Sequence, residues 1–193
     1  MAMSQRVMSR VAMLAALSGL VACGAHLTKV GYEGPAQVES SYSAGVTLIT
    51  GNVTAEPVYR GWASLFFGPT PAEPVLYFDA DDQRIFVASL IDELNRLGML
   101  NAWDASDPSR GKADLMLQVA FLRTHYSEGA PAYTLDVELL ACAGESCKTE
   151  RFSVSQRLLG MTVSGDKGMV AKKLMGEVIP RIGRMVRQMK QVG

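Results

Sequence analysis

Cys23 is the first residue whose setting suggests chemistry, because it closes an apolar stretch near the start of the chain. Arg6 and Arg10 supply the positive region of a signal peptide, and residues 11–21 (VAMLAALSGLV) supply its hydrophobic run. That run is too short to span a hydrocarbon core of roughly 30 Å comfortably. The pattern therefore predicts a signal peptide over residues 1–22. The alternatives are an ordinary secretory signal followed by a chance cysteine, or a short membrane helix.

The residues Leu20-Val21-Ala22-Cys23 resemble the lipobox of a bacterial lipoprotein precursor, with a Leu at −3, small residues before the cleavage point and the cysteine at +1. The resemblance implies that cleavage follows Ala22, that Cys23 is thioether-linked to diacylglycerol, and that the new amine is acylated. The family's three chains make attachment effectively permanent, whereas a single chain holds only reversibly. Gly24 stands where an Asp would be the retention signal of enteric inner membranes. The resemblance therefore implies the outer membrane, facing the periplasm.

The rest of the chain is predicted to form a lipidated tether over residues 23–43 and a single domain over residues 44–193. The tether prediction rests on a polar, glycine-dotted stretch without sustained periodicity, which is typical of a mobile arm. Of the 19 basic and 19 acidic residues, the signal removes Arg6 and Arg10, which leaves 17 against 19. A chain so near neutrality has no basic stripe with which to displace counterions, and this argues against nucleic acid as a partner.

Cys142 and Cys147 flank the turn-like residues 143–146 (AGES), between two strand-like runs. In an oxidising periplasm, two cysteines so placed are predicted to form a disulfide across a hairpin mouth. A redox pair would more often have the spacing Cys-x-x-Cys. A metal site would need further ligands, whereas the histidines, His26 and His125, are not adjacent in sequence. A structural disulfide is therefore the favoured interpretation.

Residues 56–74 (EPVYRGWASLFFGPTPAEP) form a segment in which large apolar side chains lie among glycines and prolines. One interpretation is a loop whose aromatic side chains cover one end of the core. The other is a patch that faces a partner protein or the membrane, because exposed apolar clusters mark such sites. The possible partner-binding residues of this aromatic segment are Trp62, Leu65, Phe66 and Phe67.

Hydrophobic periodicity predicts two helices and a set of strands. The helices are predicted over residues 82–97 and 166–190, and the strands over residues 46–50, 75–78, 115–121, 133–141 and 152–158. Period-two alternation with one polar face is typical of an antiparallel sheet covered on one side. The predicted fold class is therefore α+β, with an antiparallel sheet of about four to five strands and two helices packed on one face. This layout looks like small lipoprotein domains that serve as accessory parts of envelope assembly, secretion or transport machines.

Local signals mark where the predicted helices begin and end. Asp81 or Asp82 is a natural N-cap for the first helix, and Gly98 is the natural residue to end it. Pro180 is expected to kink the second helix, because its ring clashes with the preceding turn. Together with Asp79, the aspartates could instead suggest calcium. They lack the D-x-D-x-D-G alternation and the distal glutamate of an EF-hand loop, so helix capping is the favoured interpretation.

The chain contains no recognisable catalytic constellation. Residues 41–45 (SYSAG) lack the first glycine of a G-x-S-x-G elbow. Residues 160–167 (GMTVSGDK) place Asp166 where the lysine of a phosphate loop should stand. Met185 and Met189, at four-residue spacing, are more often flexible core filler than a copper site. No catalytic residue, metal ligand or cofactor is therefore predicted.

The expected function follows from the anchor at Cys23 and from the layout of the domain. It is a non-catalytic, periplasm-facing outer-membrane lipoprotein that binds a partner protein in the cell envelope. The alternative is a periplasmic carrier that binds a lipid or another apolar ligand between helices and sheet, and an enzyme ranks third. Transfer from fold to function is weak, so the partner itself is not predicted.

Overall fold

The computed structural model describes residues 27–35, 42–50, 78–127, 132–157 and 163–190 of the 193-residue chain. These residues form the elements β1 (Ser43–Ile49), α1 (Ala80–Arg96), β2 (Asn101–Asp104), β3 (Leu115–Ser127), β4 (Ala132–Ala143), β5 (Ser146–Arg157) and α2 (Val163–Lys190). The predicted α+β class is therefore confirmed. Neither helix in this described part of the chain combines the length and the apolar character that crossing a bilayer requires.

The described strands belong to one mixed sheet in the order β2-β1-β3-β4-β5. β1 pairs in parallel with both β2 and β3, whereas β3, β4 and β5 pair antiparallel. The prediction of a purely antiparallel sheet is therefore wrong for β1. The physical reason is the connection between β1 and β2, which contains α1. A chain that returns through such a crossover enters the neighbouring strand in the same direction.

β2 is a short edge strand that the sequence analysis did not predict. Among its four residues (NAWD) only Ala102 is buried, so no alternating pattern marks it. Asn95 of α1 fixes the strand, because its side-chain amide accepts a bond from the Ala102 N–H at 2.9 Å and donates one to the Ala102 carbonyl at 2.8 Å. One side chain thus satisfies two backbone groups at the edge of the sheet.

The core lies where alternate strand positions meet the apolar stripes of the helices. Alternate residues of β3 and β4 are at most 3% exposed, namely Leu115, Leu117, Val119, Phe121, Leu135, Val137, Leu139 and Ala141. They belong to one buried apolar cluster that also contains residues of both helices, including Leu90, Leu94, Leu174 and Ile179. Periodicity predicted these strand positions correctly, because successive side chains of a strand point to opposite faces.

α1 begins at Ala80, and its N-cap is Asp79 rather than Asp81 or Asp82. The Asp79 side chain accepts hydrogen bonds from the N–H groups of Asp81 and Asp82, at 3.0 and 2.9 Å. Asp82 in turn accepts a bond from the Asp79 N–H at 3.2 Å, which completes a capping box. Capping was therefore the correct interpretation of these carboxylates, although the sequence pointed to the wrong one as the N-cap.

Gly98, Phe78 and Pro180 lie at or near positions where the sequence predicts that an element ends or bends. Gly98 follows α1 with a φ of 64°, the left-handed conformation expected of it. Phe78, predicted to end a strand over residues 75–78, instead lies in a turn with a φ of 59°. The other residues of that predicted strand lie outside the described ranges. Pro180 lies inside α2, which continues beyond it to Lys190.

β4 and β5 form a long hairpin that a disulfide between Cys142 and Cys147 closes. The two cysteines are partners in the strand register, with Cα atoms 4.1 Å apart, and Gly144 in the turn has a φ of 58°. The structure thus contains the bond that the spacing predicts. β5 begins at Ser146, earlier than predicted, because its first residues are exposed and carry no apolar alternation.

We expect the double variant Cys142→Ser/Cys147→Ser to lower the free energy of unfolding by about 2 kcal/mol, because the loop that the disulfide closes is short. Urea unfolding of the domain, followed by circular dichroism, measures the loss. Wild-type domain in reducing buffer is the control and should unfold at the same urea concentration as the variant. Equal stability of oxidised and reduced wild type would contradict this prediction.

Candidate functional site

Asp82 is a fully buried carboxylate in the first turn of α1, and its partners come from separate parts of the chain. Lys167 of α2 is itself 5% exposed and places its Nζ 2.5 Å from Oδ2 of Asp82. Oδ1 of Asp82 accepts a bond from the Leu27 N–H at 2.8 Å. We name this set, made of Asp82, Lys167 and the Leu27 N–H, the Asp82 junction.

The Asp82 junction is stabilised because opposite charges meet where water is excluded. A buried charge that loses its partner is strongly destabilising, so Asp82 and Lys167 depend on each other. The carboxylate of Asp79 adds a second negative charge 4.0 Å from the Lys167 Nζ. Both oxygens of Asp82 bind groups of the chain itself. This arrangement suits the junction to holding elements together rather than to proton transfer with a substrate.

The neighbouring aspartates are engaged in capping and pairing. Asp79 caps α1, and the exposed Asp81 pairs with Arg84 at 2.5 Å. Within the described ranges, no group of three or more His, Cys, Asp or Glu side chains is arranged to hold a metal ion. The acidic run that could have suggested calcium is therefore accounted for by the start of α1 and by the Asp82 junction.

Residues 27–35, which fall inside the predicted tether, lie against α1. Leu27 and Val30 are 5% and 6% exposed and belong to the core cluster. The N–H of Val30 donates to Oγ of the buried Ser89 at 3.1 Å. This docked segment is therefore part of the fold, and the predicted start of the domain at residue 44 lies too late in the chain. Two isolated apolar residues were too weak a signal to show it.

A second set of contacts fixes the later part of the docked segment. Glu93 accepts bonds from Arg96 at 2.6 and 2.9 Å, and Arg96 also donates to the Tyr32 carbonyl at 3.0 Å. The Arg96 guanidinium lowers the pKa of the Glu93 carboxyl; burial opposes this shift, and a bond from the Tyr32 backbone adds to it. Lys172 of α2 binds Glu33 at 2.6 Å. The docked segment thus contacts both helices.

An open groove of about 1070 Å³ runs between α1 and the β1–β2 edge of the sheet. The guanidinium carbon of Arg110 lies 5.9 Å from the centre of the Trp103 ring, and both side chains line the groove. Thr50 lines it as well, at the point where the chain passes into residues 51–77. Its apolar lining comes from β1 and α1 and includes Val46, Leu48, Val87 and Ile91. The groove is therefore a place where apolar atoms could lie beside the sheet.

The described residues include only some of those that the sequence singles out. Cys142 and Cys147 are joined by the disulfide at the end of the β4–β5 hairpin. The predicted lipidation site and the predicted partner-binding residues lie outside the described ranges; they are Cys23, Trp62, Leu65, Phe66 and Phe67.

The sequence analysis did not identify Lys167 as a member of the Asp82 junction. It treats this lysine only as the last residue of a stretch, residues 160–167, that departs from the phosphate-loop pattern. Its spacing held a signal: Lys167 stands three and seven positions before Val170 and Leu174, on the apolar stripe of α2. A lysine in such a place must pair with an acidic group when it is buried. Its partner Asp82 is 85 residues away, so only the tertiary structure identifies it.

Comparison with known proteins gives a distant likeness to solved structures. No family model matches the chain. No curated protein matches it either. A hypothetical protein from Chlamydia trachomatis has a TM-score of 0.49 at 13% identity and covers 76% of this chain and 98% of its own. An uncharacterized protein has a TM-score of 0.47 at 14% identity, with 82% and 99% covered. Lipoprotein GNA1162 from Neisseria meningitidis has a TM-score of 0.28 at 16% identity, with 74% and 99% covered. These similarities are too low to carry an argument about function.

We expect Lys167→Met to lower the free energy of unfolding by about 3–5 kcal/mol, because it leaves the Asp82 carboxylate buried without its cation. Urea unfolding of the domain measures the loss. Lys29→Met is the matched control, since Lys29 pairs with Asp92 at 2.6 Å but both side chains are exposed, 69% and 56%. That exposed pair should contribute little to stability, because solvent and salt screen the attraction between its charges. Unfolding of Lys167→Met at the wild-type urea concentration would show that the junction does not hold the fold.

The contribution of Glu93 to stability should depend on pH. Because the pKa of Glu93 is lowered from its ordinary 4.5, its contribution to stability is present above that value and is lost as the pH falls through the folded-state pKa. At neutral pH, Glu93→Gln should be less stable than wild type by about 1 kcal/mol. The difference should shrink between about pH 5 and pH 3. Urea unfolding across this range, with Glu145→Gln in the exposed hairpin turn as control, tests it. A difference that stays constant with pH would refute it.

Proposed function

We propose that this protein is an outer-membrane lipoprotein, anchored through Cys23 and facing the periplasm, whose domain binds a protein partner and is not an enzyme. The observation that carries the proposal is the lipobox Leu20-Val21-Ala22-Cys23 after a charged and apolar leader. In this proposal the partner belongs to an envelope assembly, secretion or transport system. In this proposal both helices pack on one face of the sheet, which leaves the other face toward solvent.

The disulfide between Cys142 and Cys147 supports the compartment in this proposal. Disulfides persist in oxidising spaces such as the periplasm, and they are rare in the cytosol, where thiols are kept reduced. The bond closes an exposed hairpin turn that a reductant would reach easily. If the disulfide contributes about 2 kcal/mol to the free energy of unfolding, the domain keeps that contribution only where the bond persists, outside the cytoplasm.

The charge chemistry of the described residues favours binding over catalysis. The buried pair of Asp82 and Lys167 is engaged within the chain, and so is the pair of Glu93 and Arg96. A catalytic acid or base must instead reach a proton on a substrate. The residues with perturbed environments therefore serve the fold, and a binding role for the domain is the more economical proposal.

The aromatic segment is the proposed partner-binding surface, with Trp62, Leu65, Phe66 and Phe67 as its contact residues. Large apolar side chains are costly to expose in a soluble domain unless something covers them. Tryptophan in particular is enriched among the residues that dominate binding energy at protein interfaces. A protein partner that covers these side chains would account for their presence in a stretch rich in glycine and proline.

A carrier of a lipid or another apolar ligand is the second candidate, and the groove between α1 and the β1–β2 edge favours it. The interior between helices and sheet offers less room, because the rings of Phe78, Phe86 and Phe121 contact one another at centroid distances of 5.6, 6.0 and 6.3 Å. A ligand of this kind would therefore bind in the groove rather than in the core. Acyl chains extracted from the purified protein and identified by mass spectrometry would favour this candidate.

Cys23→Ser should abolish lipidation, because the thioether to diacylglycerol forms at that sulfur. Metabolic labelling with palmitate in a bacterial host should mark the wild type and leave the variant unmarked. The control is Cys142→Ser/Cys147→Ser, which removes the other two cysteines and should keep the label. Equal labelling of Cys23→Ser and wild type would refute the anchor.

The double variant Trp62→Ala/Phe66→Ala separates the two interpretations of the aromatic segment. If these side chains bind a partner, the variant should lose that partner from pull-downs of cross-linked envelopes, while the melting temperature of the isolated domain stays unchanged. Arg60→Ala in the same segment is the control and should keep the partner. A large fall in melting temperature with the partner still bound would rule out the interface. Release of co-purifying acyl chains would support the carrier instead.

A further inference from the structure

The chain becomes fixed to the fold a short distance behind the proposed anchor. Leu27 is 5% exposed, and its N–H donates to Oδ1 of the buried Asp82 at 2.8 Å. Val30 follows with a bond from its N–H to Oγ of Ser89 at 3.1 Å. Since both backbone groups are bound to side chains of α1, Leu27 has a defined place in the domain.

The distance between the anchor and this fixed point is small. Leu27 is four residues beyond Cys23. An extended chain spans at most about 3.6 Å per residue, so Leu27 lies within about 14 Å of a lipidated Cys23. A free tether of about twenty residues would instead reach about 70 Å. The lipid holds Cys23 at the bilayer surface, and the docked segment therefore keeps this part of the domain close to the lipid headgroups.

Contacts identify the end of the domain that Leu27 occupies. Asp82 binds both Leu27 and Lys167, and the ring of Phe78, which precedes α1, lies 5.6 Å from that of Phe121. We name these five residues, Leu27, Phe78, Asp82, Phe121 and Lys167, the proximal end.

The opposite end of the domain, which we name the distal end, surrounds one small cavity of about 30 Å³. The residues that line this cavity include Tyr42, Leu115, Ala143, Val186 and Met189. α2 connects the two ends, and its stretch from Lys167 to Met189 is about 33 Å long.

The proximal end also carries exposed apolar side chains. Among the described residues, four large apolar side chains are exposed: Ile49, Leu122 and Met169, at 45%, 43% and 39%, lie near the proximal end, and Met116, at 45%, lies beside Leu115 of the distal end. Ile49 is paired with Ala120, which is next to Phe121; Leu122 follows Phe121 directly; and Met169 is close to Lys167 in α2. Apolar side chains of this kind can enter the boundary between headgroups and acyl chains when they lie next to it.

We propose that the proximal end lies against the lipid bilayer, held there by the short connection from Cys23 to Leu27, and that the distal end with the Cys142–Cys147 hairpin points into the periplasm. This inference rests on the lipidation of Cys23 in the proposed function. The partner at the proximal end is a lipid surface.

Two single-cysteine variants on one helix test the orientation. Met169→Cys and Gln188→Cys introduce thiols at exposed positions of α2, near its proximal and distal ends. The native cysteines do not react, because Cys23 is acylated and the other two are bonded. Each variant is labelled with a nitrobenzoxadiazole fluorophore, and the full lipidated protein is placed in phosphatidylethanolamine–phosphatidylglycerol vesicles with a headgroup spin label. Quenching relative to vesicles without the spin label is measured.

Quenching at position 169 should be several-fold stronger than at position 188. Equal quenching, or stronger quenching at position 188, would overturn the inference. A control protein carries a Gly/Ser insertion of about 20 residues after Gly24, which lengthens the connection and should reduce the difference. An unchanged difference would overturn the role of the short connection. Vesicle flotation distinguishes a failure of lipidation from a failure of the proposed orientation. Protein that fails to float contradicts lipidation itself, whereas protein that floats with equal quenching contradicts only the orientation.

Discussion

A buried carboxylate requires partners, and Asp82 has them in the docked segment and in α2. Taking two charges out of water costs several kcal/mol for each ion, and good geometry with further hydrogen bonds is needed to offset that cost. The Lys167 ammonium supplies the opposite charge, and backbone N–H groups of Leu27 and Asp79 satisfy the remaining positions. The Asp82 carboxylate therefore links three parts of the chain: its ion pair joins α1 to α2, and its hydrogen bond from Leu27 joins α1 to the docked segment.

These contacts make residues 27–35 part of the domain. The docked segment follows α1 from Asp82 to Arg96, so Leu27 and the start of α1 lie at the same end of the molecule. The distal end, with the disulfide, lies a helix length away. In this account the domain stands at the membrane with one defined end toward it. A domain on a free tether would sample many orientations, whereas the proposed orientation would present the same surfaces to a partner continually.

The sequence was most informative where structure is local. Helical spacing predicted both helices, and alternation predicted the core positions of β3 and β4, such as Leu117 and Val137. Contacts between distant residues could not be predicted in this way. The parallel pairing of β1 and the ion pair of Asp82 with Lys167 leave no local pattern in the sequence. β2 has too few residues for a period to show. The docked segment holds its place partly through the backbone N–H groups of Leu27 and Val30, and a backbone hydrogen bond leaves no pattern in the sequence.

Residues 27–35 are fixed to the fold by the hydrogen bonds of Leu27 and Val30 to α1. Hydrogen exchange of individual amides in the domain measures this directly, because an amide that is buried and bonded exchanges only when the structure around it opens. We expect strong protection of the Leu27 and Val30 amides, comparable to that of Leu117 in β3, and fast exchange of Gly111 in an exposed loop. Exchange of Leu27 and Val30 as fast as that of Gly111 would show instead that residues 27–35 are a free tether.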